Sequence, residues 1–226
     1  MSSKRFKDLP KKTKELSPDS IDKLLQEVKK NCTTKFDESI DVSFKLNLKQ
    51  KKEEVNLRTV VNLPHGNGKK IKIAVLCEDN KVEEAKSAGA DIAGSETLIN
   101  DITNGKINFD KLIATTSMMS KMGKLGKILG PKGLMPNPKL GTVSNDVKKA
   151  VKLLKEGQIE IKNDKDGNLG VSIGKKSFED KKIIENFDVL IQTINKEKPN
   201  GIKGDFILSA YISSSMGPSY KLKLGK

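Results

Sequence analysis

The sequence predicts two folding units of different texture. One is an α+β domain split between the two ends of the chain, with an antiparallel sheet and two main helices. The other is an α/β domain inserted in the middle. Three observations predict this. Strands near both ends alternate apolar and polar residues, as in a sheet with one wet face. Strands in the middle are continuously apolar and separated by short helical patterns, as in a parallel sheet covered on both faces. Two glycine-bearing stretches, Pro64-His65-Gly66-Asn67-Gly68 and Gly157, stand where the texture changes. They read as chain crossings and hinges. The split domain is thus expected at 1–66 and 157–226, and the insert at 67–156. No internal repeat at solenoid period is present.

Each element follows from local pattern. "SPDSIDKLLQEVKKN" has Ser17 as a candidate N-cap, Pro18 at the first helical position, and Ile21, Leu24, Leu25 and Val28 on one face. "SIDVSFKLNLK" puts Ile40, Val42, Phe44, Leu46 and Leu48 on one side of a half-buried strand. The polar loop "KQKKEE" leads to a second strand, "VNLRTVVNL". In the middle, "KKIKIAVLC", "DIAG" and "KLIATTS" read as strands. "NKVEEAKSAGA" and "SETLINDITNGK" read as helices, the latter capped by Ser95 and stopped by Gly105. "MMSKMGKLGKIL" reads as a frayed helix. This alternation specifies a three-layer, Rossmann-like α/β unit.

The return to the split domain begins at "SNDVKKAVKLLKEG", a helix with Val147, Ala150, Val151 and Leu154 inward. "QIEIK" and "LGVSI" follow as strands joined by the turn "NDKDG". "SFEDKKIIENFDVLIQTINK" is a long helix. Ser177 and Asp180 resemble a capping box there, and Ile183, Ile184, Phe187, Leu190, Ile191 and Ile194 point inward. "DFILSAYISSS" is the final strand, with Phe206, Leu208, Ala210 and Ile212 in one alternating set. Ser209, Tyr211, Ser213 and Ser215 form the other.

Composition bounds the function. Lysine and arginine number 43 against 29 acids, a net charge of +14. Solubility of a small domain asks only for a net charge of ~2–8, so the excess points to a polyanionic partner. Arg5 and Arg58 are the only arginines. A reader of base edges in DNA rarely does without that fork, whereas lysine neutralises phosphate while shape selects, as for structured RNA. Charge is also unevenly placed. Residues 78–110 hold eight acids and three lysines, while 118–139 hold five lysines and no acid.

Other classes are disfavoured. No apolar run approaches the ~18 residues of a membrane span. The basic start "MSSKRFKDLPKKTKEL" lacks the apolar stretch of a secretory signal and reads as a basic arm. Cys32 and Cys77 form no CxxC pair, so free thiols in the cytoplasm are expected, without disulfide, zinc or other metal, or cofactor. The single histidine, His65, leaves no multi-histidine metal site and little for a nucleophile triad. "GNGKK" and "GKLGKILG" fit neither GxxxxGK[ST] nor GxGxxG, and Glu53-Glu54 and Glu83-Glu84 read as solvated. Aromatic residues are 4% with no tryptophan, against an aromatic base-stacking sheet. The chain reads as a binding protein, not an enzyme.

Several ordered blocks carry a resemblance. "KFDESIDV", "NLPHGNGK", "AGADIAG", "ILGPKGLMPNPKLGTV", "IEIKNDKDGNLGVSIGK" and "SSSMGPS" are similar, in that order, to the ribosomal protein L-one family of the large subunit, in its bacterial type. The resemblance covers nearly the whole chain and carries the same two-domain insertion. It implies binding to a folded region of large-subunit rRNA and a mobile stalk that assists release of deacylated tRNA from the exit site. It also implies repression of the protein's own operon mRNA through a mimic of the rRNA site, and a monomer off the ribosome.

The resemblance further implies where RNA is held. Lys35, Phe36 and Ser39 take the places of strand-start contacts, and Asp164 and Lys165 match the turn after "QIEIK". Ser209, Ser215, Met216 and Gly217 match the last strand and its exit. Ser39 and Ser215 stand where threonine is common in the family. Core packing is the competing reading for Phe36, and a bare strand terminus for Ser215-Met216-Gly217. The loop "GKILGPKGLMPNPKLGTV" offers Lys127, Gly130, Lys132, Gly133, Met135, Asn137 and Lys139 as a secondary RNA or tRNA contact. A rigid connector is its competing reading. Two functional alternatives stay open: a regulatory RNA binder outside the ribosome, and a phosphate-ligand enzyme built on the insert.

Overall fold

The computed structural model describes residues 18–47, 57–199 and 204–224. Ser17 as a cap, Leu48, the loop at 49–54 and the basic arm lie outside the described residues. The chain divides into two compact units, Met1–Gly68 with Ile159–Lys226, and Lys69–Gln158.

The split unit opens with helix α1 (Ile21–Lys30), which buries Leu24, Leu25 and Val28. Pro18 stands before the helix, not in its first turn; Ser20 occupies the cap position and its N–H is held by the Asp19 carboxylate at 2.8 Å. Strand β1 (Ser39–Leu46) alternates as read, with Ile40, Val42, Phe44 and Leu46 buried. β2 (Arg58–Asn62) does not pair with it. β2 forms a two-stranded sheet with β6 (Gln158–Lys162). β7 (Asn168–Lys175), β1, β8 (Ile207–Ser214) and β9 (Ser219–Leu222) form an antiparallel four-stranded sheet in that order.

Two local expectations are corrected here, and one strand is added. β6 and β7, expected as neighbours across the turn at 163–167, enter different sheets, because each finds its partner far away in sequence. Leu208 is not in the inward set. The β1–β8 register slips between Lys45 and Leu46, so Ile207 turns inward and Leu208 is pushed out to 57% exposure. The short strand β9 after Pro218 is an addition, since its four residues were too few to read as an element.

The long helix of this unit spans Asp180–Lys196. Ile183, Phe187, Leu190 and Ile194 are buried as read, Ile184 and Ile191 partly so. Phe187 stacks on Phe44 of β1 with ring centroids 6.3 Å apart, tying helix to sheet. The expected capping box is absent. Ser177 instead gives its N–H and hydroxyl to the Asp37 carboxylate at 3.1 and 2.8 Å. Asp180 pairs with Lys29 at 2.5 Å, an acid at a helix N-terminus where the macrodipole favours it.

In the insert, β3 (Ile73–Leu76), β4 (Ile92–Gly94) and β5 (Lys111–Ala114) form a parallel sheet in the order β4-β3-β5. Ala74, Leu76, Leu112 and Ala114 enter one apolar cluster, Ile73, Val75 and Ile113 another. Both faces are therefore covered, as continuous apolar strands require. Its longer helices are Glu96–Thr103 and Val147–Lys155, with Val82–Ser87 shorter. Ser95 stands at the cap position of Glu96–Thr103 but its hydroxyl goes to Asp79, not to the helix. Asp146 caps Val147–Lys155 through the Lys149 N–H at 3.1 Å. The segment read as a frayed helix is broken into Met119–Met122 and Gly126–Leu129 with a tighter turn between.

Candidate nucleic-acid interface

The candidate residues of the split unit fall into two groups. At the first, the chain leaves α1 through an exposed turn carrying Lys35 and Phe36 and starts β1 at Ser39. β8 ends beside it, so Ser215, Met216 and Gly217 arrive next to Ser39. Phe36 is 55% exposed and Met216 53% exposed. The core-packing reading of Phe36 is therefore excluded: the ring faces solvent.

What holds two apolar side chains out in water is a carboxylate that the sequence reading missed. Glu38 is fully buried. One oxygen accepts from the Thr34 N–H at 3.2 Å and the Thr34 hydroxyl at 2.7 Å, and the other from the Met216 N–H at 3.2 Å. Its carbonyl accepts from the Lys176 N–H at 2.8 Å. Burial pushes the Glu38 carboxyl up, but the bonds from Thr34 and Met216 outweigh it and hold it below its ordinary value. The ionised group thus pins the Phe36 turn to the Met216 turn. Asp37 fastens the same turn from outside through Ser177. Period two could have found Glu38, because it shares the inward parity of Ile40, Val42 and Phe44.

Gly217 packs closely against Ser214. A Cβ there would lie 2.3 Å from the Ser214 hydroxyl oxygen. Ser209 is half-buried on β8, opposite Lys45 of β1.

The second group is the turn after β6. Asp164 shapes it. Its carboxylate accepts from the Asn168 N–H at 2.6 Å, the Asn168 side chain at 2.8 Å and the Asp166 N–H at 3.0 Å. The Asn168 side-chain bond, then the Asn168 and Asp166 N–H groups, hold that carboxyl below its usual range. The carboxylate stays ionised and fixes the shape of the turn. Lys165 is exposed beside it.

The crossing residues are fastened within the split unit. Asn186, fully buried on the long helix, donates to the carbonyls of Gly66 at 2.9 Å and Ile173 at 2.8 Å, and accepts from the His65 N–H at 3.2 Å. Its position, between Ile183 and Phe187 on the inward face, was the signal for it. The His65 ring meets Glu185 at 2.5 Å. Pro64 precedes this anchored stretch. Gly66 and Gly68 have positive φ, and a Cβ at Gly68 would press on Lys175 and Phe178 at 3.1 Å. Gly157 also has positive φ.

In the insert, Lys127, Gly130, Lys132, Gly133 and Lys139 are exposed. Met135 packs against the insert's core, and Asn137 caps the turn Pro138–Leu140 by accepting from the Lys139 N–H at 2.9 Å. These two shape the loop, and the three lysines present charge. Among the described residues no group of three or more His, Cys, Asp or Glu could hold a metal ion. No described helix is long and apolar enough to cross a membrane. Cys32 and Cys77 are buried free thiols.

Comparison with known proteins bears on this geometry. The pattern of the ribosomal protein L1p/L10e family matches residues 28–218. The chain is 65% identical to large ribosomal subunit protein uL1 of Pelagibacter ubique, covering 100% of this chain and 99% of that protein. It is 46% identical to the uL1 of Kosmotoga olearia, covering 97% and 95%. It is 45% identical to the uL1c of Phaeodactylum tricornutum, covering 98% and 96%.

Proposed function

The chain belongs to the ribosomal protein L1p/L10e family, and from that premise we propose how it works as a structural, non-enzymatic protein of the large ribosomal subunit. The split unit grips a folded region of large-subunit rRNA through the Phe36 and Met216 turns and the Asp164–Lys165 turn. The observation that carries this is the buried Glu38 carboxylate, which ties the turn bearing the exposed Phe36 to the turn bearing the exposed Met216. Exposed apolar groups on a preformed frame bind without paying the ordering entropy of a loose loop. Hydroxyls of Ser39, Ser209 and Ser215 suit 2′-OH groups and phosphates, which distinguish RNA by shape.

The insert is a three-layer, Rossmann-like unit that reorients relative to the split unit, as a moving stalk requires. Its exposed Lys127, Lys132 and Lys139 supply a secondary contact to RNA or exit-site tRNA. The same grip on a mimic of the rRNA site would repress translation of the protein's own operon mRNA.

The test is a titration of an rRNA stalk fragment at several salt concentrations. Log K should fall linearly with log salt, by about 0.7–0.9 per phosphate neutralised. Affinity unchanged between low and physiological salt removes the electrostatic part of the reading. Failure to co-sediment with large subunits, with RNA binding intact, favours a regulatory RNA binder outside the ribosome.

A further inference from the structure

Sulfur is unevenly placed in this protein. Met118 and Met122 are buried in the insert's core, and Met119 and Met135 pack against it, partly covered. Cys32 and Cys77 are buried thiols, and burial pushes both above the ordinary thiol value. Among the described residues Met216 is the exception, with 53% of its surface exposed.

The backbone beneath that side chain is fixed. Met216 stands in the tight turn between β8 and β9, closed by the Gly217 N–H on the Ser214 carbonyl at 3.2 Å. Its own N–H is held by the buried Glu38 carboxylate at 3.2 Å, and the Ser215 N–H before it by the Ser39 carbonyl at 3.0 Å. These bonds are made by backbone, not by the thioether. A change at the sulfur therefore leaves the turn in place and alters what the turn presents to a ligand.

We propose that Met216 is a reversible oxidation site, at which a peroxide converts the thioether to the sulfoxide and thereby weakens RNA binding. The consequence rests on the RNA-binding reading above; the chemistry does not. A sulfur lone pair attacks one oxygen of the peroxide. The O–O bond breaks and an S–O bond forms. The proton on the transferred oxygen goes to the leaving one, which departs as water when the oxidant is hydrogen peroxide. Sulfur gives up two electrons and the peroxide takes them. A flexible apolar side chain becomes polar and chiral. Methionine sulfoxide reductases, with thiols as reductant, reverse the step and release the oxygen as water. Bound RNA covers the sulfur, so the site is open on the unbound protein and shielded in the complex.

The experiment treats the full-length protein with dilute hydrogen peroxide, alone and with the rRNA stalk fragment bound, and follows each methionine by peptide mass spectrometry. Met216 should gain an oxygen well before Met118, Met119, Met122 or Met135, and more slowly in the complex. The oxidised protein should bind the fragment about tenfold more weakly, the scale of losing the burial of an apolar side chain. Reductase treatment should restore affinity, and thermal melts of the reduced and oxidised protein should coincide. Met216→Leu carries no sulfur at this position, so its affinity, whatever its starting value, should not change on peroxide treatment. Oxidation of any of the four insert methionines as fast as Met216 overturns the site. Selective oxidation with unchanged affinity, or an equal loss in Met216→Leu, overturns the effect on binding. A lower melting temperature after oxidation assigns the loss to unfolding and overturns it too. A reduced parent that does not bind the fragment overturns the RNA-binding reading itself, while the mass measurement still decides the site.

Discussion

Ser215 and Ser39 are joined by both backbone and side chain. The Ser215 N–H donates to the Ser39 carbonyl at 3.0 Å, and the Ser215 hydroxyl accepts from the Ser39 N–H at 3.1 Å. The hydroxyl thereby extends the β1–β8 ladder past the last paired strand residue. A side chain that looked reserved for RNA has a structural partner in the protein.

This changes what Ser215→Val should do. Loss of the hydroxyl leaves the Ser39 N–H without that acceptor, so stability should fall by about 0.5–1.5 kcal/mol in urea unfolding. RNA affinity should fall by about 1–3 kcal/mol, because the strand start that presents Phe36 loosens and a polar contact is lost. Ser215→Thr should restore both. Valine and threonine variants with equal stability and affinity would refute the role of the hydroxyl.

Glu38→Gln tests the frame beneath Phe36 and Met216. An amide presents a donor where the Thr34 and Met216 donors need an acceptor, so the variant should lose about 1–3 kcal/mol of stability near pH 7. The sign with pH follows from the depressed carboxyl. Its contribution is present above the ordinary value of 4.5 and is lost as pH falls through the lower folded-state value. Unfolding curves of parent and variant should therefore approach one another in acid. A gap that widens on acidification would contradict the ionised-carboxylate assignment.

Gly217 and Ser214 should be energetically coupled. Gly217→Ala places a methyl 2.3 Å from the Ser214 hydroxyl oxygen and should destabilise by about 1–3 kcal/mol. Ser214→Ala in the same chain removes that atom and leaves the next contact at an ordinary 3.6 Å. The double variant should recover about 1 kcal/mol or more relative to additivity. Additive urea-unfolding energies would show that the clash is relieved elsewhere.

The split unit should stand alone. Its apolar cluster runs from Leu24 to Leu222 without a residue of the insert, and the insert's clusters are its own. A protein joining residue 68 to 159 through a short linker should unfold cooperatively and keep most affinity for the rRNA fragment. The isolated 69–158 piece should bind weakly. Equal affinity of the two pieces would relocate the main RNA surface.

Periodicity alone determined the buried faces of β1 and of the long helix. Ile40, Val42 and Phe44 at period two, and Ile183, Phe187 and Leu190 at helical spacing, lie inward because side-chain direction repeats with backbone geometry. The ordered blocks likewise determined the family. Tertiary structure decided partners. β6 pairs with β2 across about a hundred residues, not with its neighbour β7, and one slipped rung at Lys45–Leu46 turned Leu208 outward. It also decided that Glu38 binds Met216 and that the Ser215 hydroxyl serves Ser39. The reason is physical: local pattern specifies the direction in which a side chain points, whereas its neighbour is chosen by pairing and packing between segments far apart in the chain.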